Sequence, residues 1–387
     1  LVEVAKIPTR GQVNATPVVG DGVLFIGDGG GNGRFFYVID LEHQTDGVND
    51  YPRLVELDTG ATVSTPLIGS GMQSTALYVT VDVALPGGGY APERRVYFGA
   101  NVKPRSFWCL DVDAILAKRA ELSAQTSDGQ EFLCEGADWP ILIAGIGNVE
   151  TNELDAPLPV YNGAPTFLKR ATAANPSDRD VVITPTIGAD CSDGQLWAID
   201  AVDATVKWVY DPVPNFQNPG TPLPAGVGSG GMIWTVPALS ADGRHLYVTT
   251  GDCVEQPQLG FQAESLVAIE PTTGEVAWYQ QRRLVDAADF DIGNSPVVVD
   301  APGPDGCNVV VTSDKDGCIY GHSQVRDVPG LERAVGDPVE EAIEDATEAR
   351  ARIGQQRTLW RTCFVPGSLG GGFNASAVTV SGRTVYA

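Results

Sequence analysis

Apolar and polar residues alternate in short runs of about four to eight residues along most of the chain, and Gly, Pro, Asp or Asn bounds each run, which is the period-two signature of half-buried strands. One pattern occurs twice. LWAIDAVDATVKW, Leu196 to Trp208, and LVAIEPTTGEVAW, Leu266 to Trp278, each read as an apolar strand ending in an acid, a turn of small or polar residues, and a second strand closed by Trp. The copies start 70 residues apart. Weaker versions surround them: FFYVIDLE ends its strand at Asp40, FWCLDVD at Asp111, and RTLWRT supplies a closing Trp360. A second hairpin pattern recurs beside these cassettes, in ATPVVGDGVLFIG from Ala15, TVPALSADGRHLYVTTGD from Thr235, NSPVVVDAPGPDGCNVVVTSDKDG from Asn294 and NASAVTVSGRTVYA from Asn374.

Two hairpins in succession make a four-stranded antiparallel blade, and the segments between them lack the recurring helices that a parallel sheet needs. The expected fold is therefore all-β, a β-propeller of such blades. Residues 1–387 are read as a single propeller domain of about five complete blades and the start of a sixth. One acidic stretch interrupts the repeat at about 326–356, where DPVEEAIEDATEARARIG has helical propensity and charges on most of its faces, so it is expected to be a solvated helical insertion. The chain stops at GRTVYA in mid-blade, which would leave an open strand edge, so native sequence is expected to follow Ala387 or another segment to pair there.

Composition supports this reading and narrows the partners. The 45 Gly and 27 Pro supply the turns that many short strands need, and 43% hydrophobic residues suffice for a packed core. A formal net charge of -24 excludes nucleic acid and disfavours anionic membranes, although a salty habitat would also select it. No apolar stretch is long enough to span a bilayer. The seven cysteines include no C-x-x-C pair and there are three histidines, so zinc-ribbon and His-rich zinc sites are not expected. Disulfides in an oxidising compartment are, with Cys307 and Cys318 as one pair that neighbouring strands would bring together. An opening of LVEVAKIPTRG rather than Met and an apolar leader fits a removed export signal, hence a periplasmic or extracellular protein.

Chemistry is expected where loops at equivalent strand ends of successive blades converge. GGMIWTVPALSADGRHLYVTTGDCVE places Trp234 on an entry strand and Asp252 at the end of the next; DAADFDIGNSPVVV offers Asp286, Asp289 and Asp291; VVVTSDKDGCIY sets Lys315 between two aspartates. Carboxylates and a lysine distant in sequence can meet there to form a site for a cation and an anionic ligand.

The order GGxxWxxPAxxxxxxxxYVTTGD, LVAIxxxTGEVAWxxQ, DxDxGxSPVVV, KDGxIY and GGxNxSAVxxxxxxVY resembles the quinoprotein dehydrogenases that bind pyrroloquinoline quinone (PQQ), most closely the polyvinyl-alcohol dehydrogenase type. The likeness runs from about Asp180 to Ala387 and is generic before that. It implies an eight-bladed propeller, of which this chain holds part, with PQQ and calcium in an axial funnel. It also implies oxidation of an alcohol, polymeric or not, with electrons passed to a cytochrome. Trp234 matches the tryptophan beneath the quinone ring, a task suited to a flat aromatic, though a core tryptophan would look the same. Asp252 stands where the alcohol dehydrogenases have a calcium-ligating Asn, and Asp190 is the nearest counterpart of their calcium-binding Glu; both keep the oxygen donors that calcium requires. Asp289 matches the catalytic aspartate, also at the calcium, but Asp291 lies two residues on and the choice between them is open at this point. Lys315 matches a basic residue that hydrogen-bonds the quinone oxygens, and Asn374 an Asn at the cofactor's far edge. The adjacent cysteines of the alcohol dehydrogenases are missing, as is a C-x-x-C-H haem motif, so a haem acceptor would belong to another domain or protein. The alternative is a cofactor-free propeller that binds a protein partner as a scaffold or assembly module, since the repeats occur in such proteins too.

Overall fold

The structure is a computed structural model that describes residues 7, 9–13, 15–29, 34–43, 51–60, 74–85, 87–100, 106–141, 163–170, 178–187, 194–212, 231–251, 262–282, 291–299, 309–324, 358–363, 379–381 and 384–386. Their architecture is all-β, as the alternation predicts. Strands β1 (Val18–Gly20), β2 (Val23–Gly27), β3 (Phe35–Asp40) and β4 (Arg53–Asp58) form a four-stranded antiparallel sheet in sequence order. Strands β5 (Leu77–Ala84), β6 (Tyr90–Ala100) and β7 (Ser106–Asp111) form a three-stranded one. Next, β8 (Thr166–Leu168), β9 (Val181–Ile187), β10 (Gly194–Asp200) and β11 (Val206–Tyr210) again lie side by side. Two more four-stranded sheets follow, β12 (Ala238–Leu239) to β15 (Val276–Gln281) through β13 (Leu246–Thr249) and β14 (Ser265–Ile269), and β16 (Val297–Val299) to β19 (Thr358–Cys363) through β17 (Val309–Ser313) and β18 (Cys318–Ser323). A hairpin of β20 (Thr379–Ser381) and β21 (Thr384–Tyr386) is the last described element. Sheets of neighbouring strands joined in sequence order are propeller blades.

The repeated cassettes are the third and fourth strands of their sheets, and their shared residues have identifiable jobs. The acid that ends the first strand ties down the turn. Asp200 Oδ1 accepts from the Val202 and Asp203 amides at 2.9 and 3.2 Å, and Glu270 Oε2 from those of Thr272 and Thr273 at 3.1 and 2.7 Å. Asp40 does the same for Glu42 and His43. The closing Trp208 donates from Nε1 to the Pro271 carbonyl at 3.0 Å, and its ring lies where a Cβ on Gly274 would come within 2.7 Å. Gly274 also has φ +78, so only glycine fits both demands. Each of the pairs β3–β4, β14–β15 and β18–β19 shifts register at one point, at Val38/Ile39, Ala268/Ile269 and Gly321/His322, a bulge that recurs from blade to blade.

Two expectations are corrected. Asp111 does end its strand, as expected, but a helix rather than a second cassette strand follows it: its carboxylate accepts from the Ala114 amide at 3.0 Å and caps α1 (Val112–Ala117), followed by α2 (Arg119–Ala124). The downstream Ala, Leu, Lys, Arg and Glu are strong helix formers and no Gly-Thr turn is present, so the same capping acid starts a helix. Cys318 pairs with Cys363, not with Cys307, because the β18–β19 register sets Cys318 opposite Cys363. A second disulfide joins Cys109 to Cys134. Residues 326–356 and Cys307 lie outside the described residues.

The chain divides into two compact units, Leu1–Thr184 with Trp197–Lys207, and Pro185–Leu196 with Trp208–Ala387. In the first, Val23, Phe25, Phe36, Val38, Leu54, Leu57, Val96, Phe98 and Trp108 share an apolar core, with the Phe36 and Phe98 rings stacked at 3.7 Å. In the second, Tyr247, Leu266, Ala268, Trp278 and Val310 are buried together.

Candidate functional site

The second unit brings three of the expected site residues together. A bridge between Met232 and Gly251, with hydrogen bonds from the Gly231 amide to the Gly251 carbonyl (2.7 Å) and from the Gly251 amide to the Met232 carbonyl (2.9 Å), joins the two ends of the β12–β13 hairpin. Trp234 follows on one leg and is half-buried. A Cβ on Gly251 would meet Asp291 Oδ1 at 2.9 Å and Trp234 Cη2 at 3.2 Å, so this glycine leaves room where carboxylate and indole approach.

Polar side chains lock these strands to the segment that carries Asp291. Thr235 and Thr249 share a hydroxyl hydrogen bond of 2.8 Å, Thr249 Oγ1 donates to the Asn294 carbonyl at 3.0 Å, and the Val236 amide donates to Ser295 Oγ at 2.8 Å. Asn294 Nδ2 in turn donates to Ser313 Oγ at the end of β17. The tight turn from β17 to β18 then presents Lys315. Its backbone amide donates to the Asp291 carbonyl at 3.1 Å, its ammonium lies 2.5 Å from Asp291 Oδ2, and Nζ stands 5.2 Å from the centre of the Trp234 ring. Asp291 is buried and Lys315 nearly so, which strengthens the pair relative to one in water.

Trp234, Asp291 and Lys315 therefore form one constellation. The expected Asp190, Asp252, Asp289 and Asn374 all lie outside the described residues. Among the described residues no cluster of three or more His, Cys, Asp or Glu is placed to hold a metal ion. In the sequence Asp314 stands out only as a neighbour of Lys315, and Gly251, Arg282, Thr312 and His322 carry no assigned role; the last three form a buried group with Asp314 next to the site. Gly251 was visible in the TTGD string. The Arg282 signal, one of two arginines that follow the polar Gln280–Gln281 end of β15, is weak in isolation.

A partly exposed indole, a cation beside it and a glycine that keeps the ring edge clear suit a flat, anionic, oxygen-rich ligand: an indole can offer stacking and the ammonium a charge-assisted hydrogen bond. The residues present thus fit a quinone cofactor such as PQQ.

Residues 162–366, just over half of the chain, match the family described as PQQ: glucose/ethanol/alcohol dehydrogenase, beta-propeller domain. The chain belongs to that family. No curated protein matches its sequence. Among solved structures it is similar to the quinohemoprotein alcohol dehydrogenase from Comamonas testosteroni, at 18% identity and a TM-score of 0.46, over 81% of this chain and 42% of that one. It is also similar to the Cps50 (Swd1) beta-propeller domain of Myceliophteria thermophila, at 11% identity and a TM-score of 0.39, over 94% and 74% of the two chains. The Dos1 propeller matches at 8% identity and a TM-score of 0.32, over 79% and 64%. The chain thus spans less than half the length of the quinohemoprotein.

Proposed function

We propose that this protein oxidises an alcohol with bound PQQ, and that Trp234, Lys315 and Asp291 form one wall of the cofactor site. The observation that carries the reading is the Lys315 ammonium shared between the Trp234 ring and the Asp291 carboxylate. Trp234 supplies a planar face for stacking, and Lys315 donates to an oxygen at the ring's edge. PQQ, when bound, supplies the acceptor for the two electrons that leave the alcohol carbon. Asp291 Oδ2 is engaged by Lys315, so the base that takes the hydroxyl proton is assigned to Asp289, following the resemblance. Asp190, Asp252 and Asp289 are proposed as oxygen donors to calcium, and Asn374 as a contact to the cofactor's far edge. The substrate is a primary or secondary alcohol, the polyvinyl-alcohol type being the polymeric case, and the acceptor a cytochrome-type protein. Two disulfides support a periplasmic or extracellular setting.

Reconstitution tests the reading. With PQQ and calcium the purified protein should gain a quinone absorbance, melt at higher temperature through ligand linkage, and reduce a redox dye only when an alcohol is added. Absence of binding would overturn the enzyme reading and leave the scaffold alternative.

A further inference from the structure

We infer that Arg282 is a positioning residue: it fixes the turn that carries Lys315, and so the place of the Lys315 ammonium beside Trp234. This rests on the quinone-site reading above, in which that ammonium contacts the cofactor.

Arg282 directly follows β15 and only 6% of its side chain is exposed. Its guanidinium carbon lies 3.5 Å from the centre of the Tyr320 ring, its Nε 3.4 Å from Oδ2 of the fully buried Asp314, and its Nη2 donates to Thr312 Oγ1 at 2.8 Å. The same Nη2 lies 2.8 Å from His322 Nε2. Arginine can only donate, so Nε2 must be the accepting nitrogen and the imidazole proton sits on Nδ1, which faces Gln280 Oε1 at 3.2 Å. Burial, reinforced by the Arg282 charge, holds this imidazole neutral, as the tautomer requires.

The contacts fall on both legs and the tip of one hairpin. Thr312 is on β17, Tyr320 and His322 are on β18, and Asp314 opens the turn between them. Asp314 closes that turn through its amide to the Cys318 carbonyl (3.1 Å) and its carbonyl to the Gly317 amide (3.2 Å), and Lys315 is the next residue. Asp316 accepts from the Cys318 amide at 2.8 Å and, at 2.6 Å, from the hydroxyl of Tyr320, the ring that Arg282 covers. A buried ion pair is a poor way to stabilise a sheet, since apolar side chains of similar volume commonly do as well. The Arg282 hydrogen bonds to Thr312 and His322 do something packing cannot: they are directional, and they orient the hairpin that carries the turn.

The test compares Arg282→Gln and Asp314→Asn with Arg282→Lys and with Trp208→Phe, a change to the blade packing away from the turn. In cofactor-free protein, acetylation of Lys315 by an amine-directed ester is followed by peptide mass spectrometry; PQQ affinity is followed by tryptophan fluorescence. Arg282→Gln and Asp314→Asn should each speed Lys315 labelling and weaken PQQ by about tenfold, because positioned groups tolerate little displacement, while Arg282→Lys should recover most of both. Trp208→Phe should lower the melting temperature and leave both readouts within about twofold of wild type. Unchanged Lys315 labelling in Arg282→Gln, or equal changes in Trp208→Phe, overturns the inference. If the wild type binds no PQQ while Arg282→Gln still speeds labelling, the quinone reading falls and the positioning role stands.

Discussion

Around Phe98 the first unit is apolar and aromatic: Phe36 stacks on Phe98 at 3.7 Å and Phe98 lies parallel to Trp108 at 6.3 Å. Behind the β17–β18 turn the second unit instead buries Arg282, Asp314, Thr312 and His322. Both regions are antiparallel strand repeats built on the same alternation, so fold demands alone do not account for the polar interior of the second. Apolar contacts are non-directional and hold sheets together; hydrogen-bonded charges cost desolvation and return orientation. The first unit has a buried cation as well, Arg95, but it donates to the Ala201 and Glu135 carbonyls and pairs with Glu93, and so serves the chain's own backbone. The polar group in the second unit lies behind a turn whose lysine reaches the half-buried Trp234.

The contrast can be broken most forcefully at Phe98. Phe98→Ala should cost about 3–5 kcal/mol in chemical denaturation, by lost burial plus a cavity, and leave PQQ affinity unchanged. A matching loss of affinity would mean that the two regions do not differ in role. Lys315→Met should cost about 3 kcal/mol, because it removes the cation from the buried Asp291 carboxylate, and should also abolish the fluorescence response to PQQ. If the variant binds as tightly as wild type, Lys315 is a structural residue only.

The disulfides give a kinetic version of the comparison. Cys109 and Cys134 are buried, whereas Cys363 is exposed. A mild reductant should therefore open Cys318–Cys363 in the folded protein and spare Cys109–Cys134, as thiol trapping and mass spectrometry would show. The expected cost is about 2 kcal/mol, at the low end for a native disulfide, since β18–β19 pairing already holds the two ends in register.

Acid should separate the regions by pH. His322 is held well below its ordinary value of 6.5, so below that pH the unfolded chain binds a proton that the native state refuses. Stability should fall as pH drops from 6.5, by up to about 1.4 kcal/mol per pH unit, and His322→Gln should flatten the slope. In the first unit burial would raise the Asp40 carboxyl, but hydrogen bonds from Arg119, the Glu42 amide and His43 outweigh it and bring it down to about 2. That contribution is present above 3.8 and is lost only as pH falls toward 2. Denaturant midpoints between pH 7 and 3 would separate the two. The smallest effect is expected at the outward-facing Val276, where Val276→Thr should change stability by less than about 0.5 kcal/mol and leave both regions intact.

The sequence by itself determined the strands and their grouping. Alternation, turn glycines and the cassette's acid are local signals, and Asp200 and Glu270 perform local tasks that such signals can carry, whereas Trp208 meets Pro271 and Gly274 of the next cassette. It also pointed to Trp234, Asp291 and Lys315 as chemistry-bearing residues, though not to which aspartate meets the lysine. Tertiary structure decided the rest. Cys318 found Cys363 rather than the nearer Cys307 because strand register, not separation along the chain, sets which side chains face each other. Asp111 started a helix where a second strand was expected, because the residues after it favour that outcome once the cap is made. Arg282 reached Asp314 and His322 for the same reason: residues 32 and 40 positions apart meet only when adjacent sheets have formed, and no pattern read along the chain encodes that meeting.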